Sequence, residues 1–258
     1  MRVPDSSFWA HQRVLGVFAH PDDESFSAGG TLRAAHEGGA PVFIASATLG
    51  EAGWVRGQPD FAGDLGRLRH AELSEACQIL GASPPLVGPF SDGQLADIEP
   101  TLLDDWVGRV LERTRPTIVI SLGMDGAYGH RDHIALAAAV RRIQQTGGDS
   151  FRLWEVAFPS GLFWPIYRRL RRHIPVLVAQ GWERSNFGAF SRDLSWRIPL
   201  GFTATKKVEA VGAHRSQLDA GRPHSFLVEG LLGDLLTEET FIERGEAVLA
   251  SWAPEKSR

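Results

Sequence analysis

Short, fully apolar runs alternate with longer amphipathic stretches over the first 150 residues. Val14 to Phe18 is apolar throughout except for Gly16, the signature of a strand buried on both faces. Ser25 and Ser27 precede a helical pattern over 28–36 that stops at Gly38-Gly39, and 41–48 (Val42, Phe43, Ile44, Ala45) predicts a second strand. Apolar residues at 65, 68, 73, 76, 79 and 80, followed by Gly81, predict an amphipathic helix over 65–80. Another helix is expected over 102–113. Pro116 opens a strand over 117–122, and an alanine-rich helix over 133–145 is stopped by Gly147-Gly148. Strands alternating with helices of this length imply βαβ units, an α/β fold and a mostly parallel central sheet. Beyond residue 150 aromatics and prolines blur the periodicity. Strands are expected near 153–158 and 197–200, and a helix over 205–218. No repeat, low-complexity tract or linker divides the chain, so one domain over 1–258 is the expectation.

The polar residues at the strand ends change the picture. Val17-Phe18 runs directly into Ala19-His20-Pro21-Asp22-Asp23-Glu24-Ser25, an imidazole and three consecutive carboxylates. Charged groups leaving water must be paired, hydrogen-bonded or bound to a metal. A second cluster, Tyr128-Gly129-His130-Arg131-Asp132-His133, follows the strand ending at Leu122. In open parallel sheets the ligand crevice lies beyond the carboxyl ends of the strands. The two clusters are therefore expected to meet despite their distance in sequence.

His20 and Asp23 with one imidazole of the second cluster would make a three-ligand site with an open position. Zinc suits imidazole plus carboxylate better than magnesium or calcium, which prefer oxygen shells. Asp22 is then free to take a proton from water. His130 can stabilise an oxyanion or protonate a leaving amine, and Asp132 can orient His130. A plainer reading stands beside this one: Asp22, Asp23 and Glu24 can complement the positive end of the following helix, and Asp132 can cap the helix at His133.

Composition sets bounds. The 258-residue chain is 43% hydrophobic and 22% charged, as in an ordinary globular protein. A net charge of −4 gives no electrostatic case for nucleic acid. Cys77 is the single cysteine, which excludes an intrachain disulfide and cysteine-rich zinc sites; its apolar neighbours mark it as a core thiol. No signal-like or membrane-spanning run is present in the sequence, so a cytoplasmic location is expected.

Ala19-His20-Pro21-Asp22-Asp23-Glu24 together with Gly129-His130-Arg131-Asp132-His133 resembles the paired signature of the PIG-L/LmbE-like zinc-dependent de-N-acetylases. The first stretch matches A-H-P-D-D-E throughout; the second matches G-H-x-D-H, with Arg131 where proline is frequent. Thr48-Leu49-Gly50-Glu51-Ala52-Gly53, Arg69 with Glu72-Leu73, Asp92-Gly93 and Ala213-His214-Arg215-Ser216-Gln217 are weaker echoes of the same family. The resemblance implies a Rossmann-like three-layer sandwich. It implies Zn2+ held by His20, Asp23 and His133, with Asp22 as general base and His130, supported by Asp132, at the scissile amide. It further implies that Tyr128 assists at the oxyanion and that Arg69 and Asp92 contact the sugar. The implied reaction removes an acetyl group from an N-acetylglucosamine-type substrate, releasing acetate and a free amine. Rival readings are an amidase of another acyl or conjugate substrate and a non-catalytic sugar-binding protein; the intact Asp22 argues against the latter.

The segment 162–173, aromatic and then basic, predicts a helix with a solvated basic face or a weak contact with a membrane surface or acidic substrate. A small amino-sugar is the expected partner, and homo-oligomers occur in the family.

Overall fold

The computed structural model describes residues 1–5, 7–58, 61–147, 150–170 and 182–245. In chain order the elements are β1 (Val14–Phe18), α1 (Asp23–Glu37), β2 (Val42–Ser46), α2 (Leu65–Leu80), β3 (Leu86–Val87), α3 (Pro100–Thr114), β4 (Ile118–Leu122), the single turn α4 (Gly126–Gly129), α5 (Arg131–Thr146), β5 (Arg152–Val156), α6 (Trp164–Leu170), β6 (Trp196–Pro199), α7 (Thr203–Ala213) and β7 (Glu238–Arg244). The strands form one sheet in the order β3-β2-β1-β4-β5-β7-β6. β1 to β5 pair in parallel, whereas β7 runs antiparallel to both β5 and β6.

Alternation along β1 sorts the core into two layers. Val14 and Phe18 join α1, α2 and α7 residues such as Leu32, Leu73, Cys77 and Val211 on one face. Leu15 and Val17 join Leu103, Trp106, Leu136 and Val140 of α3 and α5 on the other. The sheet is thus covered on both sides, which is why its central strands are apolar at nearly every position.

Sequence order leaves β1 toward β2 and β3, then returns to the other side of β1 for β4 and β5. The carboxyl ends of β1 and β4 therefore flank the point where the winding reverses, the usual place for a ligand crevice in such a sheet. Both polar clusters begin there.

Local chemistry accounts for the element boundaries. α2 starts where the Asp64 carboxylate accepts the Arg67 N–H at 3.0 Å and ends at Gly81, left-handed at φ 75°. α1 begins five residues earlier than its apolar pattern suggests. The polar first turn, Asp23 to Ser25, faces inward and not to solvent, which hides it from a hydrophobic count. α7 ends at Ala213, short of the expected 218, because the Glu72 carboxylate takes both the N–H and the hydroxyl of Ser216, at 2.8 and 2.7 Å. No sequence pattern predicts β7. Its inward-facing Glu239 breaks the apolar alternation and is buried against Lys207 Nζ at 2.7 Å. In α6, Ile166 and Tyr167 face inward and Arg168 and Arg169 are exposed, which matches a solvated basic face; Arg171, Arg172 and His173 lie outside the described residues. No helix among the described residues is long and apolar enough to cross a membrane.

Candidate active site

The loop after β1 and the start of α1 deliver His20, Asp22 and Asp23 to the crevice, and the stretch from α4 into the first turn of α5 delivers Tyr128, His130, Asp132 and His133. All but Asp132 line one cavity of about 870 Å³. The turn at Asp22 is sharp, with φ at 100°, a conformation an aspartate adopts only under restraint from its surroundings. Its N–H donates to Glu24 Oε2 at 3.0 Å, and its carbonyl accepts the first helical bond from Phe26.

At the centre, His20 Nδ1 lies 3.1 Å from His133 Nε2, and Asp23 Oδ2 lies 3.4 and 3.3 Å from those two nitrogens. The far side of each ring is already engaged. His133 Nδ1 is 3.1 Å from the Gly126 carbonyl, which can only accept, so that nitrogen carries the proton. His20 Nε2 faces Asp92 Oδ1 at 3.0 Å and Asp132 Oδ2 at 3.3 Å, and donates likewise. In these neutral tautomers two lone pairs and a carboxylate oxygen converge with no hydrogen between them. That arrangement is repulsive unless something positive sits among them, either an added proton or a cation. Donors held about 2.0–2.1 Å from a small tetrahedral cation lie about 3.3 Å from one another. The triangle of His20, Asp23 and His133 has those edges. The carboxylates behind His20 and the carbonyl behind His133 are the supports that orient metal-binding imidazoles.

Two looser groupings share His20: its ring with those of His130 and His133, and its ring with Asp92 and Asp132, each within 4.8 Å. Neither is as good a cradle. His130 Nδ1 accepts the Asp132 N–H at 3.3 Å, and Asp92 and Asp132 occupy the side of His20 away from His133.

Electrostatics follow from this crowding. Burial opposes charge on His20, yet Asp132, Asp23 and Asp92 outweigh it and hold the imidazole well above its usual range. Asp23 ends well below the carboxylate range, because His133 and His20 overcome its burial. The cradle thus attracts positive charge. Burial pushes Asp22 up to about 6, against the pull of Arg69. Burial and the neighbouring His133 and His20 push His130 well down, toward the neutral ring. With Nδ1 accepting from backbone, that ring keeps its proton on Nε2. Tyr128 is held well above its ordinary value by burial and the carboxylates, so it stays a phenol.

The structure places several expected residues differently. Asp132 does not support His130 through its carboxylate. Its oxygens accept the N–H groups of Gly93 at 2.7 Å and Leu95 at 3.0 Å and reach His20, because α5 points that side chain back toward the loop 91–95. Asp92, expected at the sugar, has Oδ1 on His20 and Oδ2 on the Ala52 N–H at 3.1 Å. Arg69 is buried; its terminal nitrogens donate to the Gly50 carbonyl at 2.8 Å, the Pro21 carbonyl at 2.5 Å and Asp22 Oδ2 at 2.8 Å. Both border the cavity, but the terminal nitrogens of Arg69 and the carboxylate of Asp92 are committed to holding the site together. Gly50, at φ 67°, permits this: a Cβ there would run into the Arg69 guanidinium.

The sequence gives Glu24 as a helix-end charge and a motif residue and His214 only as part of a weaker motif echo, with nothing to pair them. In the structure they are partners. Glu24 Oε1 meets His214 Nε2 at 2.8 Å, and the same carboxylate accepts the Asp22 N–H and the Ser25 hydroxyl. The presence of Glu24 within the first motif is the available signal.

The chain is similar to several known proteins. The family profile described as PIG-L: GlcNAc-PI de-N-acetylase matches residues 15–144. A 1D-myo-inositol 2-acetamido-2-deoxy-alpha-D-glucopyranoside deacetylase of Geodermatophilus obscurus is 31% identical, with 91% of this chain and 93% of that protein covered. Among solved structures, the N,N'-diacetylchitobiose deacetylase from Pyrococcus horikoshii has a TM-score of 0.62 at 17% identity, covering 92% of this chain and 85% of its own. The 4-carboxy-2-hydroxymuconate hydratase of Pseudomonas putida KT2440 has a TM-score of 0.63 at 18% identity, covering 93% of this chain and all of its own, so one fold carries two chemistries. The match over both motif loops, borne on a sheet of the same architecture, places this chain in the PIG-L de-N-acetylase family.

Proposed function

We propose that this protein is a zinc-dependent N-deacetylase that hydrolyses the acetamide of an N-acetylglucosamine-type substrate to acetate and a free amine. The observation that carries the reading is the triangle of His20 Nδ1, Asp23 Oδ2 and His133 Nε2, with edges of 3.1 to 3.4 Å and both imidazoles tethered from behind. Two imidazoles and one carboxylate are a zinc-type donor set. Zinc bound there supplies Lewis acidity toward water and the amide carbonyl.

The chain's own groups do the rest. Asp22 lines the cavity, and Arg69 holds one of its oxygens; no hydrogen bond to the other is found among the described residues. That free oxygen takes the proton from the attacking water and returns it to the leaving nitrogen. The His130 Nε2–H, oriented by the backbone bond at Nδ1, donates to the carbonyl oxygen as charge develops there. Tyr128, a phenol beside both His130 and His133, is the second donor available at that position. Asp92 and Asp132 act through His20, and Arg69 acts through Asp22. The balance is one water consumed, one C–N bond broken, and acetate and amine released. The deacetylase relatives, named for an acetamido-glucopyranoside of inositol, support an amino-sugar as substrate.

The test is release of acetate and primary amine from a panel of N-acetylated amino-sugars, before and after chelation and zinc readdition. Turnover that needs metal and returns with zinc is expected. Hydrolysis that continues undiminished in chelator would overturn the reading.

A further inference from the structure

Asp125 lies between β4 and the second motif and takes no part in the hydrolysis proposed above, yet both of its oxygens are engaged. Oδ1 accepts the Ala127 N–H at 3.1 Å, and Oδ2 accepts the Gly188 N–H at 2.8 Å. The turn that follows is one that does not hold itself. Gly126, Ala127 and Gly129 all have positive φ, at 57°, 62° and 82°. Ala127, with ψ at −69°, falls in the rare and strained γ-turn region. A residue with a side chain stays there only where its surroundings over-determine it. Two groups of the site ride on this turn. The Gly126 carbonyl accepts from His133 Nδ1 at 3.1 Å, which leaves Nε2 free for a cation, and Tyr128 reaches the cavity beside His130 and His133.

The other oxygen of Asp125 is braced on a segment that is itself tied down. The Ala189 N–H donates to the Phe158 carbonyl at 2.8 Å, the Ser160 N–H to the Ala189 carbonyl at 3.0 Å and the Gly161 N–H to the Phe187 carbonyl at 2.9 Å. Gly188 itself sits at φ 76°, and a Cβ there would run into the Phe158 and Pro159 carbonyls. The direction of its N–H is therefore fixed by the backbone around it. This support lies outside residues 15–144, the stretch that carries the family match.

We propose that Asp125 is a positioning residue: clamped to Gly188, its carboxylate holds the strained turn 126–129 and, through the Gly126 carbonyl, sets the tautomer and orientation of His133. The inference rests on the reading of His20, Asp23 and His133 as a cation cradle and names the group that keeps one of its donors aimed. Imidazoles that bind metal depend on the acceptor behind them. Here that acceptor is a backbone carbonyl in a strained turn, so its direction depends in turn on Asp125. Without the clamp the turn relaxes toward ordinary φ values, the carbonyl swings away, and the ring is free to rotate or to carry its proton on Nε2.

Asp125→Ala removes both acceptors. Asp125→Asn keeps one, since its amide oxygen serves either Ala127 or Gly188 while its NH2 faces the other N–H. Zinc affinity of the full-length protein, read by chelator competition, is expected to fall about tenfold or more in Asp125→Ala and several-fold in Asp125→Asn. Leu103→Ala, in the core layer under α3, is expected to lower stability while leaving zinc affinity unchanged, which tells positioning from general loosening. Nitrogen NMR of the His133 ring in metal-free protein at alkaline pH gives a readout independent of metal and turnover. Wild type should carry the proton on Nδ1, and Asp125→Ala should show a mixture of tautomers. Zinc affinity within about twofold of wild type, or an unchanged tautomer, in folded Asp125→Ala would overturn the proposal; if that variant does not fold, Asp125→Asn is judged by the same two readouts. Both shifts as expected, with no acetate released from any N-acetylated sugar by wild type, would keep the positioning role and sink the deacetylase reading.

Discussion

The two sides of the cavity are held together by different physics. On one side a connected set of buried polar groups is paired, with Arg69 Nε and His214 Nδ1 left over: Asp132 on two backbone N–H groups and His20, Arg69 on two carbonyls and Asp22, Glu72 on Ser216, Glu24 on His214. Elsewhere phenylalanines and aliphatic side chains share the lining with Ser27, Arg169, Ser225 and Glu229. A connected polar network fixes positions to fractions of an ångström and tolerates little change. An apolar wall discriminates by size and burial and can vary without disturbing the chemistry. The cavity is therefore divided between a hydrogen-bonded side, which carries the groups of the proposed hydrolysis, and a side made largely of hydrocarbon.

Substitutions on the polar side should test that division most severely. Asp22→Asn removes the proton carrier but no member of the cation triangle. It should lower kcat by about 10²–10⁴-fold with metal content unchanged; near wild-type turnover would break the assignment. Asp132→Asn weakens the support behind His20 and the anchor of the loop 91–95. Metal affinity should fall roughly 10–100-fold, read by competition with a chromophoric chelator, with a smaller loss for Asp92→Asn.

Next in size is the pair linking α1 to the end of α7. Glu24→Gln should cost about 3–5 kcal/mol in urea unfolding, since it leaves buried His214 without its counter-charge. The pair also carries a pH signature. Burial works against the His214 imidazolium, but Glu24 outweighs it and raises the group above its ordinary value. The stabilisation is therefore complete below the unfolded histidine value, about 6.5, and is lost as pH rises through the folded one. Wild-type stability should decline across that alkaline range relative to a His214→Gln variant, and parallel curves would contradict the pairing. The smallest effect belongs to Cys77, whose thiol lies on the buried face of α2 and is pushed up by burial. It should resist thiol reagents at pH 8 in the native protein and react on unfolding.

Much of this architecture is legible in the sequence. β1 and α2 have the bounds that periodicity and the flanking glycine predict, and the apolar strands place both polar clusters at one sheet edge. What stays hidden has a common cause: side chains whose polarity points inward. Asp23 to Ser25 read as a loop because they are charged or hydroxylic, yet they form the buried first turn of α1. Glu239 disguises β7 in the same way, through its burial against Lys207. The partners of Asp92, Asp132 and Arg69 are equally out of reach. Which of two nearby imidazoles a carboxylate supports depends on helix rotation, and residue spacing alone does not encode it.

The central claim is that His20, Asp23 and His133 grip one cation, and metal analysis of purified protein tests it most directly. Wild type and Asp22→Asn, each dialysed after exposure to zinc, should retain about one equivalent per chain as expected for a single three-residue cradle with an open fourth position, and His133→Ala should retain little. Equal zinc in His133→Ala and wild type would contradict the account.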